Sequence, residues 1–181
     1  MTVNEIKPNI LILEYRQEPQ DKDYGSCLWA RFLFNLDRYE LSISSDCGTY
    51  GYKWSETPDS ESFLHLMARC DEGYMLDKLY GPADIFDYDA TKENVYEALD
   101  LSEEDKDALD CIFELFDIHG IPETENEFCT KFIEYSDGYF DFDNASVWCL
   151  PVKTYPANAE KIVSVFENCI KPKIKEILNR I

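Results

Sequence analysis

Thirteen carboxylates lie between Asp84 and Asp117 with only Lys92 and Lys106 against them, so these 34 residues carry a net charge of −11. Carboxylates at that density present a surface for a cationic partner. Their spacing says where that surface is. Glu103, Asp107, Asp110, Glu114 and Asp117 recur every three or four residues, one stripe of an α-helix, with Asp100 and Glu104 flanking it. Leu109, Ile112, Phe113 and Phe116 make an apolar stripe about 130° away at about 100° per residue. Like charges at these spacings cost about 0.2–0.5 kcal/mol per pair. Asp110, Glu114 and Asp117 also approach the negative end of the helix dipole. The plainest account is a solvated face that aids solubility. The functional account is a docking face for a cationic protein: the stripe spans about 21 Å, and a DNA strand carries roughly six phosphates over that length.

Other chemistry is weakly signalled. Asp141 and Asp143 fall on the same side of an extended segment, with Asp137 nearby, a pattern that suits Mg²⁺ or Ca²⁺. It does not meet the EF-hand pattern, because Gly138 directly follows Asp137 and no Glu stands at loop position twelve. The seven cysteines are scattered, no CxxC occurs, and neither His65 nor His119 has a ligand-spaced neighbour, so neither zinc nor any other cofactor is expected. His65 sits beside an apolar stripe and reads as a hydrogen-bonded boundary residue. With seven cysteines and two histidines, a Cys–His pair distant in sequence is open by chance alone. No phosphate-loop, dinucleotide or nucleophile-elbow motif occurs. A binding protein is expected rather than an enzyme.

The positioning elements can be read in order. With 181 residues, 45% of them hydrophobic, the chain is long enough to bury a core and is read as one domain, 1–181. Charge divides it into 1–54 (net −2), 55–144 (net −21) and 145–181 (net +3). A total of −20 opposes binding to free nucleic acid and favours a basic protein partner. Met1–Tyr15 lacks a basic, signal-like start, no apolar run is long enough for a membrane, and unpaired cysteines suit a reducing compartment, so a cytoplasmic protein with reduced, mostly buried cysteines is expected.

Asn9–Tyr15 reads as a strand, and Cys27–Leu36 alternates Leu28, Ala30, Phe32, Phe34 and Leu36 against Trp29, Arg31, Leu33 and Asn35. After a turn at Asp37-Arg38, Tyr39–Ser45 continues the pattern; after Asp46-Cys47-Gly48, Tyr50, Tyr52 and Trp54 alternate again. This predicts an antiparallel meander of three or four strands with its aromatic face in the core. Thr57-Pro58 predicts a helix start, with Phe63, Leu66, Met67 and Cys70 buried. A short helix over Tyr74–Tyr80, a loop at Ile85–Tyr88 and a helix capped by Thr91 follow, then the acidic helix. Thr124 with Glu127 predicts a capping box. Gly138–Asp143 and Ala145–Lys153 read as a hairpin, and Pro156 as the entry to a last helix that Pro172 should kink or break near Cys169–Lys171. The class is α+β: an N-terminal meander with helices packed on one face, then a C-terminal hairpin and helix.

The run CLWARFLFNLDRYELSISSDCGTYGYKW (Cys27–Trp54), with ESFLHLMARC and YMLDKLYG after it, resembles small proteins of phages and prophages in Gram-positive bacteria. Some of those are similar to type II-A anti-CRISPR proteins, inhibitors of Cas9. The likeness covers Cys27 to Tyr80 and carries no site residue. It implies a protein acting inside an infected bacterium, with guide-loaded Cas9, a basic protein, as the specific partner. Two alternatives stand beside it: an immunity protein neutralising a basic nuclease toxin through the same acidic surface, and, of a different class, a small metal-dependent enzyme built on Asp141 and Asp143.

Overall fold

The structure, a computed structural model, describes residues 7–21, 24–57, 61–99, 103–137, 139–140 and 144–180. The chain opens with four strands, β1 (Ile10–Arg16), β2 (Trp29–Asn35), β3 (Glu40–Ser45) and β4 (Gly48–Lys53), joined in sequence order as an antiparallel meander. Period-2 alternation sets its faces: Ala30, Phe32, Phe34, Leu41 and Ile43 are buried, while Ile10, Ile12 and Trp29 stay exposed. Leu41 pairs with Tyr52 and Ile43 with Tyr50, so both tyrosines share the face of the core residues; Tyr50 packs against the core as the alternation predicts, whereas Tyr52, on the edge strand, is exposed. Gly48 takes φ +124° at the second turn, a conformation natural only to glycine.

Helix α1 (Phe63–Arg69) does not start at Thr57-Pro58 as predicted. Ser62 is its cap, accepting from the His65 N–H, while the Thr57 hydroxyl donates to the Glu61 carbonyl at 2.6 Å. Phe63, Leu66, Met67 and Cys70 are buried as read. Asp71 caps α2 (Glu72–Leu79).

The next two corrections share one cause. Ile85–Asp87, predicted as loop, is strand β5, and Asp87 rather than Thr91 caps α3 (Tyr88–Ala98), accepting from the Ala90 N–H at 2.9 Å. Thr91 is instead buried within α3, where its hydroxyl accepts from the Val152 N–H at 2.8 Å. Both features depend on a segment some sixty residues away.

Helix α4 (Glu103–His119) ends at Gly120, at φ +107°, whose N–H returns to the Phe116 carbonyl. Helix α5 (Glu125–Ser136) has the predicted Thr124 cap, bonded to the Glu127 N–H at 3.2 Å. The Glu127 carboxylate reaches the Glu123 N–H, one residue before the position a capping box would use. Of the predicted hairpin, Gly138 and residues 141–143 lie outside the described residues; in its second arm Asn144–Val147 is a helical turn, α6, and Val152–Thr154 is strand β6, whose partner is β5, with Phe86 opposite Lys153.

Pro156 leads into α7 (Ala157–Val165), as expected. Pro172 cannot donate to the carbonyl four residues back. The helix accommodates it with a π-helical segment, Phe166–Ile170, before α8 (Lys171–Leu178); the Lys171 N–H reaches the Phe166 carbonyl.

The architecture is α+β, and the chain divides into two compact units: residues 1–82 with 155–181, and residues 83–154. These limits differ from the charge steps at 54/55 and 144/145. In the first unit α1, α2, α7, the π segment and α8 share one core with the sheet, in which Phe32 meets Phe166 and Trp54 meets Phe63. The Trp54 indole N–H donates to the Tyr74 hydroxyl at 2.8 Å. In the second unit Val95, Leu109, Ile112, Phe113, Phe116, Phe128 and Phe132 make the core.

Thr91 is fully buried, so Thr91→Val should leave the Val152 N–H unpaired and destabilise the protein by about 1–3 kcal/mol. Thr91→Ser should restore most of that. Urea unfolding followed by circular dichroism measures it, and a Val variant as stable as the parent would remove this bond from the account.

Candidate acidic interface

Helix α4 stands on its apolar stripe. Leu109, Ile112, Phe113 and Phe116 are buried, and Phe116 packs against Tyr88, Phe113, Phe128 and Tyr135 at ring separations of 5.3–6.0 Å. The opposite face turns outward. Asp107, Asp110, Glu114 and Asp117 are all exposed. Glu103 begins the helix, Glu104 follows it, and Asp100 lies outside the described residues. The burial of each large side chain contributes about 1.5–3 kcal/mol, against a few tenths for each like-charge pair. The apolar face therefore holds the helix and its charges come along.

The face has neighbours. The Tyr96 hydroxyl on α3 donates to the Asp110 carboxylate, so Asp110 faces solvent while tied to the next helix. Burial, then that hydrogen bond and the Asp110 charge, push Tyr96 well above the usual tyrosine range. Tyr88 is pushed up to about 12, first by burial and then by the charges of Asp117 and Asp89. Its buried hydroxyl has no hydrogen-bond partner among the described residues.

Charge follows the fold. The second unit holds twenty carboxylates and four lysines, net −16 of the chain's −20. Of those lysines, Lys92 lies over the Phe113 ring at 4.9 Å, while Lys131 and Lys153 pair with Glu127 and Glu125 at 2.6 Å. None of these three contacts uses a stripe carboxylate.

Two residues of the same face were missed in the sequence reading. Cys111 and Ile118 are exposed, Ile118 at 73%, and they stand at i−3 and i+4 from Glu114. Their helical spacing from Glu114 marks them, whereas the charge pattern does not. The surface is thus carboxylates bordered by an apolar side chain, a composition suited to protein contact.

A family model described as a phage family, Phage_phiTE_072, matches residues 5–176. The chain belongs to that family. No curated protein and no solved structure matches it. It is accordingly a phage protein, and among its described residues no helix is long and apolar enough to cross a membrane.

The remaining candidates fall elsewhere. Asp141 and Asp143 lie outside the described residues, and Asp137 is the exposed C-cap of α5. His65 bonds the Ser62 hydroxyl through Nδ1 at 2.7 Å, the boundary role expected of it. No disulfide joins the seven cysteines, of which Cys27, Cys47, Cys70 and Cys129 are buried and Cys111, Cys149 and Cys169 exposed. An open cleft of about 580 Å³ in the first unit is lined by Tyr15, Glu72, Lys161 and Cys169 among others. Burial pushes the Cys169 thiol up, the opposite of nucleophile activation. Cys27, Asp46 and Cys47, which sequence spacing gave no reason to group, converge at one end of the sheet.

Because Tyr88 and Tyr96 titrate higher in the folded protein than unfolded, their contribution to stability is complete below pH about 10. It should be lost as pH rises, through about 12 for Tyr88. Tyr88→Phe should flatten that loss without lowering stability at pH 7, and Asp110→Asn should bring Tyr96 down toward the ordinary range. Urea midpoints against pH and spectrophotometric tyrosine titration read the two effects.

Proposed function

We propose that this phage protein is a non-enzymatic inhibitor. It binds a basic nucleic-acid-processing protein in the cytoplasm of the infected bacterium, with guide-loaded Cas9 as the specific partner. The observation that carries the reading is the concentration of charge in residues 83–154, together with the exposed row Asp107, Asp110, Glu114 and Asp117 on a helix anchored from behind. Membership of a phage family supports a role during infection. The resemblance of Cys27–Tyr80 to phage proteins similar to Cas9 inhibitors supports Cas9 as the target.

The physical logic is substitution of one polyanion for another. Cas9 holds its heteroduplex in a positively charged channel and reads its recognition motif with arginines. A rigid row of carboxylates enters such a channel attracted by the same charges. Its association is steered and salt-sensitive. No bond is made or broken; inhibition is occlusion of the nucleic-acid path, and Ile118 adds an apolar contact at the end of the row.

The test is size exclusion with guide-loaded type II-A Cas9 at low and moderate salt, with DNA cleavage assayed alongside. A salt-sensitive complex with blocked cleavage is expected. Asp107→Lys with Glu114→Lys should weaken it by on the order of tenfold, mainly through the association rate, while leaving the circular dichroism spectrum unchanged. These two sites avoid Asp110, whose carboxylate also serves Tyr96. Full cleavage and no complex across several Cas9 orthologues would sink the Cas9 assignment; a complex indifferent to the double reversal would remove the acidic row from the mechanism.

A further inference from the structure

The feature of the first unit that the proposed function does not use lies where β2 begins and β3 turns into β4. Cys27 stands two residues before β2, and Asp46-Cys47 makes the turn that leads to Gly48. The two sulfurs and an Asp46 carboxylate oxygen all lie within 4.8 Å of one another. Cys27 is 1% and Cys47 5% exposed, while Asp46 faces solvent.

We propose that Cys27, Cys47 and Asp46 form a binding site for one thiophilic divalent cation, with zinc the best fit. Zinc takes sulfur at about 2.3 Å and carboxylate oxygen at about 2.0–2.2 Å in a tetrahedron, whose ligand-to-ligand edges are then about 3.5–3.8 Å. The separation of Cys27 Sγ from Asp46 Oδ1 is 3.5 Å.

The surroundings are built of acceptors. The Cys27 thiol has the Trp29 carbonyl at 3.7 Å as well as Asp46, and the Cys47 thiol has the Ser26 carbonyl at 3.3 Å. Two weak S–H donors thus sit among three oxygens, a site that a cation satisfies better than protons do. Asp46 is oriented independently of any ion, because its carboxylate accepts from the Leu28 N–H at 2.8 Å and the Trp29 N–H at 3.4 Å. Such outer contacts fix a ligand in place before the metal arrives. A water molecule completes the tetrahedron. Because both thiols must give up their protons and Asp46 is already a carboxylate, each M²⁺ bound releases two H⁺, and affinity rises with pH. The ion joins the start of β2 to the β3–β4 turn and so braces one end of the meander.

The experiment uses the full chain, kept reduced with a phosphine, titrated with Zn²⁺ by calorimetry and with Co²⁺ by visible absorption. One equivalent should bind with a thiolate-to-cobalt band and release of two protons per metal. Cys27→Ser and Cys47→Ser should each weaken binding by more than the about 10–100-fold that changing an outer partner costs. The Cys111→Ser/Cys149→Ser/Cys169→Ser variant should keep the full signal. Absence of a thiolate band in the parent protein, or its survival in the Cys27→Ser/Cys47→Ser double variant, overturns the site. If those variants do not fold, alkylation of the parent protein decides. Zinc should protect Cys27 and Cys47 in peptide mapping, and protection confined to Cys111, Cys149 or Cys169 also overturns the site.

Discussion

A helix that repeats a carboxylate at every turn is held helical by what lies behind it. In α4 that is the burial of Leu109, Ile112, Phe113 and Phe116 against the rings of α3 and α5. Packing of an amphipathic face, rather than intrinsic propensity, supplies most helix stability in proteins. The aromatic contacts also fix rotation about the helix axis. The side chains that face Phe128 and Tyr135 decide which ones face solvent, so the acidic row is exposed because the apolar row has one place to go.

The same packing sets the electrostatics around the row. Tyr96 and Tyr88 are half-buried beside carboxylates, and both are driven further from ionisation by burial and by negative neighbours. Lys92 covers a phenyl ring instead of a stripe carboxylate, and Lys131 and Lys153 pair with carboxylates outside the row. Exposed pairs of this kind contribute little to stability. Their consequence here is positional: none of these three contacts uses a carboxylate of the row.

The first unit solves a different problem. Its sheet is covered on one face by helices contributed from both ends of the unit's sequence, α1 and α2 on one side of the break and α7 to α8 on the other. Pro172 would clash with an uninterrupted α-helix, and the π segment before it absorbs the missing hydrogen bond. Lys171 then donates to the Cys70 carbonyl and pairs with Glu167, tying that irregular turn to the end of α1. Asp46 plays the matching part at the sheet's other chain crossing, clamping the start of β2 to the β3–β4 turn through two backbone N–H groups.

Local and periodic features were legible in the residues alone. Alternation marked the meander, the i, i+3, i+4 rows marked both faces of α4, and Thr124 marked the start of α5, because each rests on neighbours within one turn or one strand. The π segment was visible only as a disturbance at Pro172. What the tertiary structure decided was every feature whose partner is remote. Ile85–Asp87 is too short to declare itself a strand until Val152–Thr154 pairs with it. Thr91 resembles a cap until the Val152 N–H, 61 residues away, takes its hydroxyl. Cys27 and Cys47 look like scattered thiols until the meander folds them together with Asp46. The division into two units follows the same rule, since it depends on which buried faces meet, whereas charge along the chain records only what each segment can show to water.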